Sequence, residues 1–493
     1  MRMSIAALNP VVNAGPSAAM TLRGPGAHNP RTQRLLVGPI VPTLLSMAWP
    51  NVLVMLAQAA AGLIETWFVA KLGTDALAGM ALVFPAVMLM QMISAGAMGG
   101  GISSAVARAL GAGRREEADA LALHALLIMI ALGAFFSGIM LAFGRPIYRA
   151  LGGEAGELEA ALIYSNVVFA GNIFLWVMNG LANVVRGTGN MLLPALVISV
   201  GVLALVPLSP LLIFGIGPFP ALGIAGGGVA LIAFYACGSA VLLWYVISGR
   251  NLARLRSSTL RWSLFRDILG VGAVAAVTSL QTNVIIAAAT ALVASAAGAA
   301  AAAGYGTAAR LEYLLIPLIF GLGAPLVALV GTNIGAGQRH RALRIALLGG
   351  FMAFAVTEAI GIAAATWPRV WITQFSTDPR VIETGIAYLR LVGPSYGFFG
   401  LGLALYFASQ GAGRLFWPLS AGFVRMLVAI GGGWLALRLT GSLSWFFVAL
   451  ATGLFLHGLI VWIAVMSGAW FSEKPSERLD ALRAARNCCM IPA

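Results

Sequence analysis

Three carboxylates stand inside apolar stretches of this chain: Glu65, Glu312 and Glu358. The other thirteen of its sixteen acids lie in or beside polar segments. A charge at the centre of a membrane helix costs at least about 2.5–3.5 kcal/mol, so each of the three asks for a reason. Glu65 has Gln58 seven residues before it, on the same helix face. A carboxyl held there away from water can take a proton from one side of a membrane and release it to the other. The alternative is a glutamate near a helix end, snorkelling to water. Asn172, Trp176, Asn179 and Asn183 follow at spacings of 4, 3 and 4, one face bearing three amides and an indole. Such a face suits a cavity wall near Glu65. It suits equally well the interhelical hydrogen bonds that hold a bundle, worth about 0.6 kcal/mol each. Arg310 and Glu312 are two residues apart and face different ways. Each needs a partner elsewhere, with Gln281, Asn283 and Tyr396 as candidates. Glu358 reads as a partly hydrated structural carboxyl, and His124 and His457 as core or interface residues.

Other chemistries lack their residues. Cys237 and the adjacent pair Cys488 and Cys489 give no disulfide framework and no metal-ligand spacing. No His/Cys/Asp cluster and no Walker-type phosphate loop is present. An enzyme, a primary pump and a resident metal or cofactor are therefore not expected.

The elements that must carry these residues follow from composition. Only 9% of the 493 residues are charged, against roughly 25% in a soluble domain. Apolar types make up 60% and mean hydropathy is +0.93. So few charges cannot form a polar shell, and lipid must be the main solvent. A bilayer core takes about 20 apolar residues per helix. The long Leu/Ala/Val/Gly runs are unlike the short alternating strands of an outer-membrane barrel. Polar punctuation gives twelve stretches, near 39–69, 76–107, 120–143, 161–184, 191–216, 221–247, 267–294, 305–334, 343–367, 383–409, 415–437 and 443–471. Between 267 and 338 charges are scarce. One helix of that length would run about 108 Å, so two spans are expected, turning near Gly304 and Gly306. Twelve spans place both tails on one side. That side collects 21 of the 30 basic residues and the other 7, which marks the tails as cytoplasmic. The net charge of +14 is thus topology rather than an affinity for nucleic acid. Residues 1–38 and 472–493 are expected to be cytoplasmic tails, the first disordered and without the apolar core of a signal peptide.

The chain also repeats itself. Gly111-Ala112-Gly113-Arg114-Arg115 matches Gly335-Ala336-Gly337-Gln338-Arg339 at an offset of 224. Gly187, Gly189 and Pro194 match Gly411, Gly413 and Pro418 at the same offset. Two six-span halves follow, 39–247 and 267–471, joined by a basic linker at 248–266. Six is even, so the halves run parallel about an axis along the membrane normal, the symmetry of two-bundle transporters.

Span 1 into span 2 reads Gly62-Leu63-Ile64-Glu65-Thr66, then Lys71-Leu72-Gly73 and Ala76-Leu77-Ala78. Span 8 reads Ala309-Arg310-Leu311-Glu312, then Pro317 and Gly321-Leu322-Gly323, and span 10 ends in Gln410-Gly411-Ala412-Gly413-Arg414. Together these resemble the MATE (multidrug and toxic compound extrusion) family, more its DinF-like than its NorM-like branch. The resemblance implies an all-α integral membrane fold of twelve transmembrane helices in two six-helix bundles around a V-shaped cleft. It implies a monomeric antiporter of the bacterial inner membrane, in contact with lipid. Its cargo would be amphipathic, cationic organic compounds, exported against H⁺ or Na⁺. Glu65 stands where the family carries a functional Asp. Coupling is then expected at Glu65, Gln58, Asn179, Asn183 and Ser209. A substrate cavity is expected at Asn172, Trp176, Gln281, Asn283, Glu312 and Tyr396, with Arg310 and Arg425 as structural braces.

The chain departs from the family on span 5, where the DinF-like Asn and Asp positions are Leu205 and Ser209, and on span 10, where Gly400 falls near the NorM-like Asp. Glu65 is left nearly alone. A Na⁺ site needs several oxygen ligands, so H⁺ is the expected coupling ion. A flippase for lipid-linked sugars, within the wider superfamily, is the alternative; it is disfavoured because only Arg310 and Arg425 fall inside spans.

Overall fold

Lipid obliges every backbone polar group to find its partner within the chain, and helices meet that demand locally. The structure, a computed structural model, describes residues 29–471, and among these there is no strand. A short helix α1 (Pro30–Val37) precedes α2 (Ile40–Ala70), α3 (Thr74–Gly111) and α4 (Arg115–Ala150). Next come α5 (Ala155–Ala170) and α6 (Asn172–Gly187), bent by 46° at Gly171 into one broken span. Helices α7 (Leu192–Phe214) and α8 (Ile224–Ile247) complete the first half.

The stretch Trp262–Gly335 is helical throughout except at Gly298, where φ is 83° and ψ is −178°. It is therefore two spans, α9 (262–297) and α10 (299–335). The turn lies at Gly298 rather than at Gly304 or Gly306. Gly304 sits within α10, where a Cβ would collide with the backbone of Val381, so its small size serves packing. Then follow α11 (Arg339–Thr366), the short α12 (Pro368–Ile372), α13 (Pro379–Ala412), α14 (Phe416–Thr440) and α15 (Leu443–Met466). With the bent pair counted once and the long stretch as two, the described residues hold twelve spans long and apolar enough to cross a bilayer.

The expected N-terminal tail needs correction. Pro30–Val37 is a helix, capped by the Asn29 side chain, which accepts from the Arg31 N–H at 3.0 Å. Residues 1–28 and 472–493, with the tail cysteines, lie outside the described residues. The linker is shorter than expected, since helix resumes at Trp262. It is pinned to α4: the Arg254 N–H donates to Asp119 at 2.7 Å and the Arg261 N–H to His124 Nε2 at 2.9 Å. His124 Nδ1 lies 2.7 Å from the Ala120 carbonyl, which places its proton there and leaves Nε2 free to accept. Leu264 and Ile268 of α9 join the apolar core of the first half, so the first turns of α9 serve both bundles.

The repeat is visible in the packing. Gly111 of α3 lies against Thr332 of α10, and Gly335 of α10 lies against Arg108 of α3, with no space for a Cβ at either. These two contacts exchange under the shift of 224. Another exchanging pair sets Gly187 against Ser103 and Gly411 against Val327. Small residues let helix backbones touch where lipid offers no hydrophobic drive. The bundles thus close on each other on the side where both described ends lie.

Candidate functional site

Between the bundles lies a cavity of about 260 Å³. Its first-half wall carries amides: Gln58 of α2, Gln91 of α3 and Asn179 of α6. The opposite wall carries rings: Phe320 of α10 and Phe399, Tyr406 and Phe407 of α13. Thr278, Ser279 and Thr282 of α9 form a hydroxyl edge, because residues i, i+1 and i+4 share a helix side. The basic lining is Arg186, Arg425 and His457, with no carboxylate among the lining residues.

One wall is built on a local irregularity. Met92–Met98 of α3 is π-helical, and such bulges leave backbone carbonyls out of the regular ladder. Side-chain amides take up those carbonyls. Asn183 donates to Ala95 O at 3.3 Å, and Gln410 of α13 donates to Gly96 O at 3.2 Å. Asn179 donates to Ser94 Oγ at 2.9 Å and Gln91 Oε1 at 3.3 Å. Asn179 and Asn183 therefore fasten α6 to the bulge, and Gln410 fastens the second bundle to it.

Glu65 lies apart from the cavity, within the first bundle. It is 8% exposed, and its Oε1 has no hydrogen-bond partner among the described residues. Around it stand Gly227 and Tyr235 of α8, Ile213 of α7 and Tyr164 of α5: a Cβ on Gly227 would stand 3.4 Å from Oε1. Gln58, seven residues earlier, reaches the cavity while Glu65 faces inward. Ser209 of α7 is buried with an unpartnered hydroxyl.

None of the six residues expected to line the cavity does so. Trp176 is fully buried and stacks on Phe136 of α4, with centroids 5.4 Å apart. Asn172 opens α6 just beyond the Gly171 bend, which turns it into the bundle interior, where its amide nitrogen is unpartnered. Gln281 is buried against Gly422 of α14, and Asn283 is exposed, donating back to Ser279 O at 2.9 Å. Tyr396 is buried within the second bundle. Glu312 lines a smaller pocket in that bundle, where it pairs with Arg425 Nη2 at 3.1 Å and accepts from the Tyr388 hydroxyl at 3.0 Å. Arg310 is exposed rather than bundle-braced, and its guanidinium lies 5.9 Å from the Phe375 ring.

Arg425 lines both the small pocket and the central cavity. Sequence reasoning missed Arg186 and His457 as cavity residues. Arg186 sits in the last turn of α6 and counts as a loop cation in any charge tally. A face analysis extended through 179, 183 and 186 would have found it.

The MatE family model matches residues 50–211 and again 275–435, once in each bundle. The chain belongs to the MATE family. Members are transporters, and this one is a multi-pass membrane protein of a bacterial multidrug efflux family. Relatives include a FAD transporter of Shewanella oneidensis, 29% identical over 76% of this chain and 82% of that one. Another is the probable multidrug resistance protein NorM of Thermotoga maritima, 26% identical over 78% of this chain and 83% of that one. Among solved structures, a multidrug resistance MATE transporter in its outward-facing conformation superposes with a TM-score of 0.81, at 22% identity over 90% of this chain and 99% of that one. A MOP superfamily transporter from Pyrococcus furiosus gives 0.82, at 21% identity over 91% and 100%.

Proposed function

We propose that this MATE protein exports amphipathic aromatic compounds across the bacterial inner membrane by alternating access, in exchange for protons carried on Glu65. The tails are cytoplasmic in this reading, so the state described is closed inward. The observation that carries it is the pairing of an inter-bundle cavity, ring-lined on one wall and amide-lined on the other, with a separate buried carboxyl that has no fixed partner. Rings stack on flat apolar surface, and amides and hydroxyls orient a polar edge. A proton suits Glu65 better than Na⁺, because its neighbours are Gly227, Ile213, Tyr164 and Tyr235, and one carboxylate with two phenols falls short of the several oxygens a metal ion needs. The cavity's charge speaks against the cationic cargo that the resemblance suggests. The flavin dinucleotide named for the Shewanella relative, a flat ring system bearing phosphates, is the better guide to the cargo.

The test is transport in proteoliposomes under an imposed pH gradient, using a fluorescent aromatic dye and FAD. Glu65→Gln should cut gradient-driven flux about tenfold or more while sparing cargo binding, since coupling energies of this kind reach that size. Full pH-driven export by Glu65→Gln would refute the proton assignment, as would equal drive by a Na⁺ gradient alone.

A further inference from the structure

The two arginines of the cavity are not equivalent. Arg425 is neutralised by Glu312 at 3.1 Å, and its guanidinium also lies 5.4 Å from the Phe399 ring. Arg186 is only 2% exposed, pairs with no acid among the described residues, and leaves its Nε without a hydrogen bond. Its position in the last turn of α6 offers some compensation from the helix carbonyls. That effect is small next to the desolvation penalty of a buried, unpaired charge. A buried guanidinium tolerated without a partner is a site waiting for an anion.

We propose that Arg186 is the receptor for an anionic oxyacid group, a phosphate or a carboxylate, borne by the aromatic cargo. The inference rests on the cargo reading above and adds the residue and the charge. The cavity then has three parts. Phe320, Phe399 and Phe407 stack the ring, Gln58, Gln91 and the α9 hydroxyls meet its polar edge, and Arg186 takes the anion toward the side of the tails. A guanidinium presents paired donors that match an oxyanion's geometry, which an ammonium does not. Because Glu312 already satisfies Arg425, the site favours one anionic group at Arg186 over two spread across the cavity. The same chemistry on a lipid headgroup is the competing source.

The experiment is equilibrium binding to purified protein of riboflavin and riboflavin 5′-phosphate, which share a ring and differ by the phosphate. Wild type should bind the phosphate form about tenfold or more tightly, as expected for a charge-assisted contact. Arg186→Gln should abolish that preference, weakening the phosphate form far more than riboflavin, while Arg186→Lys should restore part of it. Short-chain phosphatidylglycerol is added as competitor. Its displacing the phosphate form more effectively than free riboflavin 5′-phosphate would reassign the site to lipid and overturn the proposal. So would equal loss of both flavins in Arg186→Gln, a preference that survives that change, or failure of wild type to bind either flavin. If Arg186→Gln fails to fold, Arg186→Lys carries the test, and an unchanged preference beside a folded lysine variant counts against the proposal. A wild type that exports aromatic dyes on a proton gradient yet ignores the phosphate would overturn this site alone and leave the transport reading standing.

Discussion

Glu358 and Glu65 are both carboxylates within spans, and their partners separate them. Glu358 of α11 accepts from the Gly397 N–H at 2.7 Å, just after a 3₁₀ turn at Gly393–Ser395 restarts the helix of α13. That N–H has no intrahelical acceptor, and a carboxylate at a helix start is favoured by the backbone dipoles. Glu358 is thus tied to local structure. Glu358→Ala should lower stability by about 1–2 kcal/mol, read as a drop in thermal midpoint in detergent, with transport per folded molecule retained. Glu65→Gln should do the reverse, holding the midpoint and losing the drive. A Glu358→Ala protein that stays stable but uncoupled would show that a second coupling carboxylate had been taken for a cap.

At the level of the helix, the glycine matches at an offset of 224 were legible because small residues at a close helix crossing tolerate nothing larger. Gly113 and Gly337 share φ values of 75° and 73°, so the matched turns are the same turn. The cavity lining was harder to read. A polar spacing of 4, 3 and 4 defines a face but not what that face meets. On α6 the face meets the α3 bulge at Asn179 and Asn183, while beyond the Gly171 bend its outer end meets the bundle interior. On α9, Gln281 and Asn283 flank Thr282, and each lies about 100° around the helix from that hydroxyl, off the face that reaches the cavity. The Gly335 contact gives a prediction. Gly335→Val should force α10 from α3 at Arg108, opening the tail side. In a background with Cys237, Cys488 and Cys489 changed to Ser, a Ser104→Cys probe should resist a membrane-impermeant maleimide added on the tail side. Adding Gly335→Val should make it react. Equal resistance in both would mean the glycine face does not hold the closure.

Across the whole molecule, α1 joins what the transport cycle must separate. Leu35 and Leu36 are buried, at 3% and 6% exposure. The Leu35 side chain fills the space at Gly189, in the turn after α6 of the first bundle. The Leu35 carbonyl accepts from Asn333 of α10 at 3.1 Å, and the Gly38 carbonyl accepts from Arg341 of α11, both in the second bundle. The helix therefore bridges the bundles on the side where Ser104 bonds Gly411 O at 3.0 Å and Gln410 reaches the α3 bulge. Opening that side must break one set of α1 contacts. A buried leucine is worth about 1.5–3 kcal/mol, so even partial loss biases the cycle toward the state closed on the tail side. Removing residues 1–37 should then raise the population open on the tail side about tenfold or more, the shift that 1.4 kcal/mol produces. Spin labels at positions 112 and 336 would report it as a longer distance distribution. A truncated protein with an unchanged distribution and unchanged transport rate would reduce α1 to an ornament of the fold.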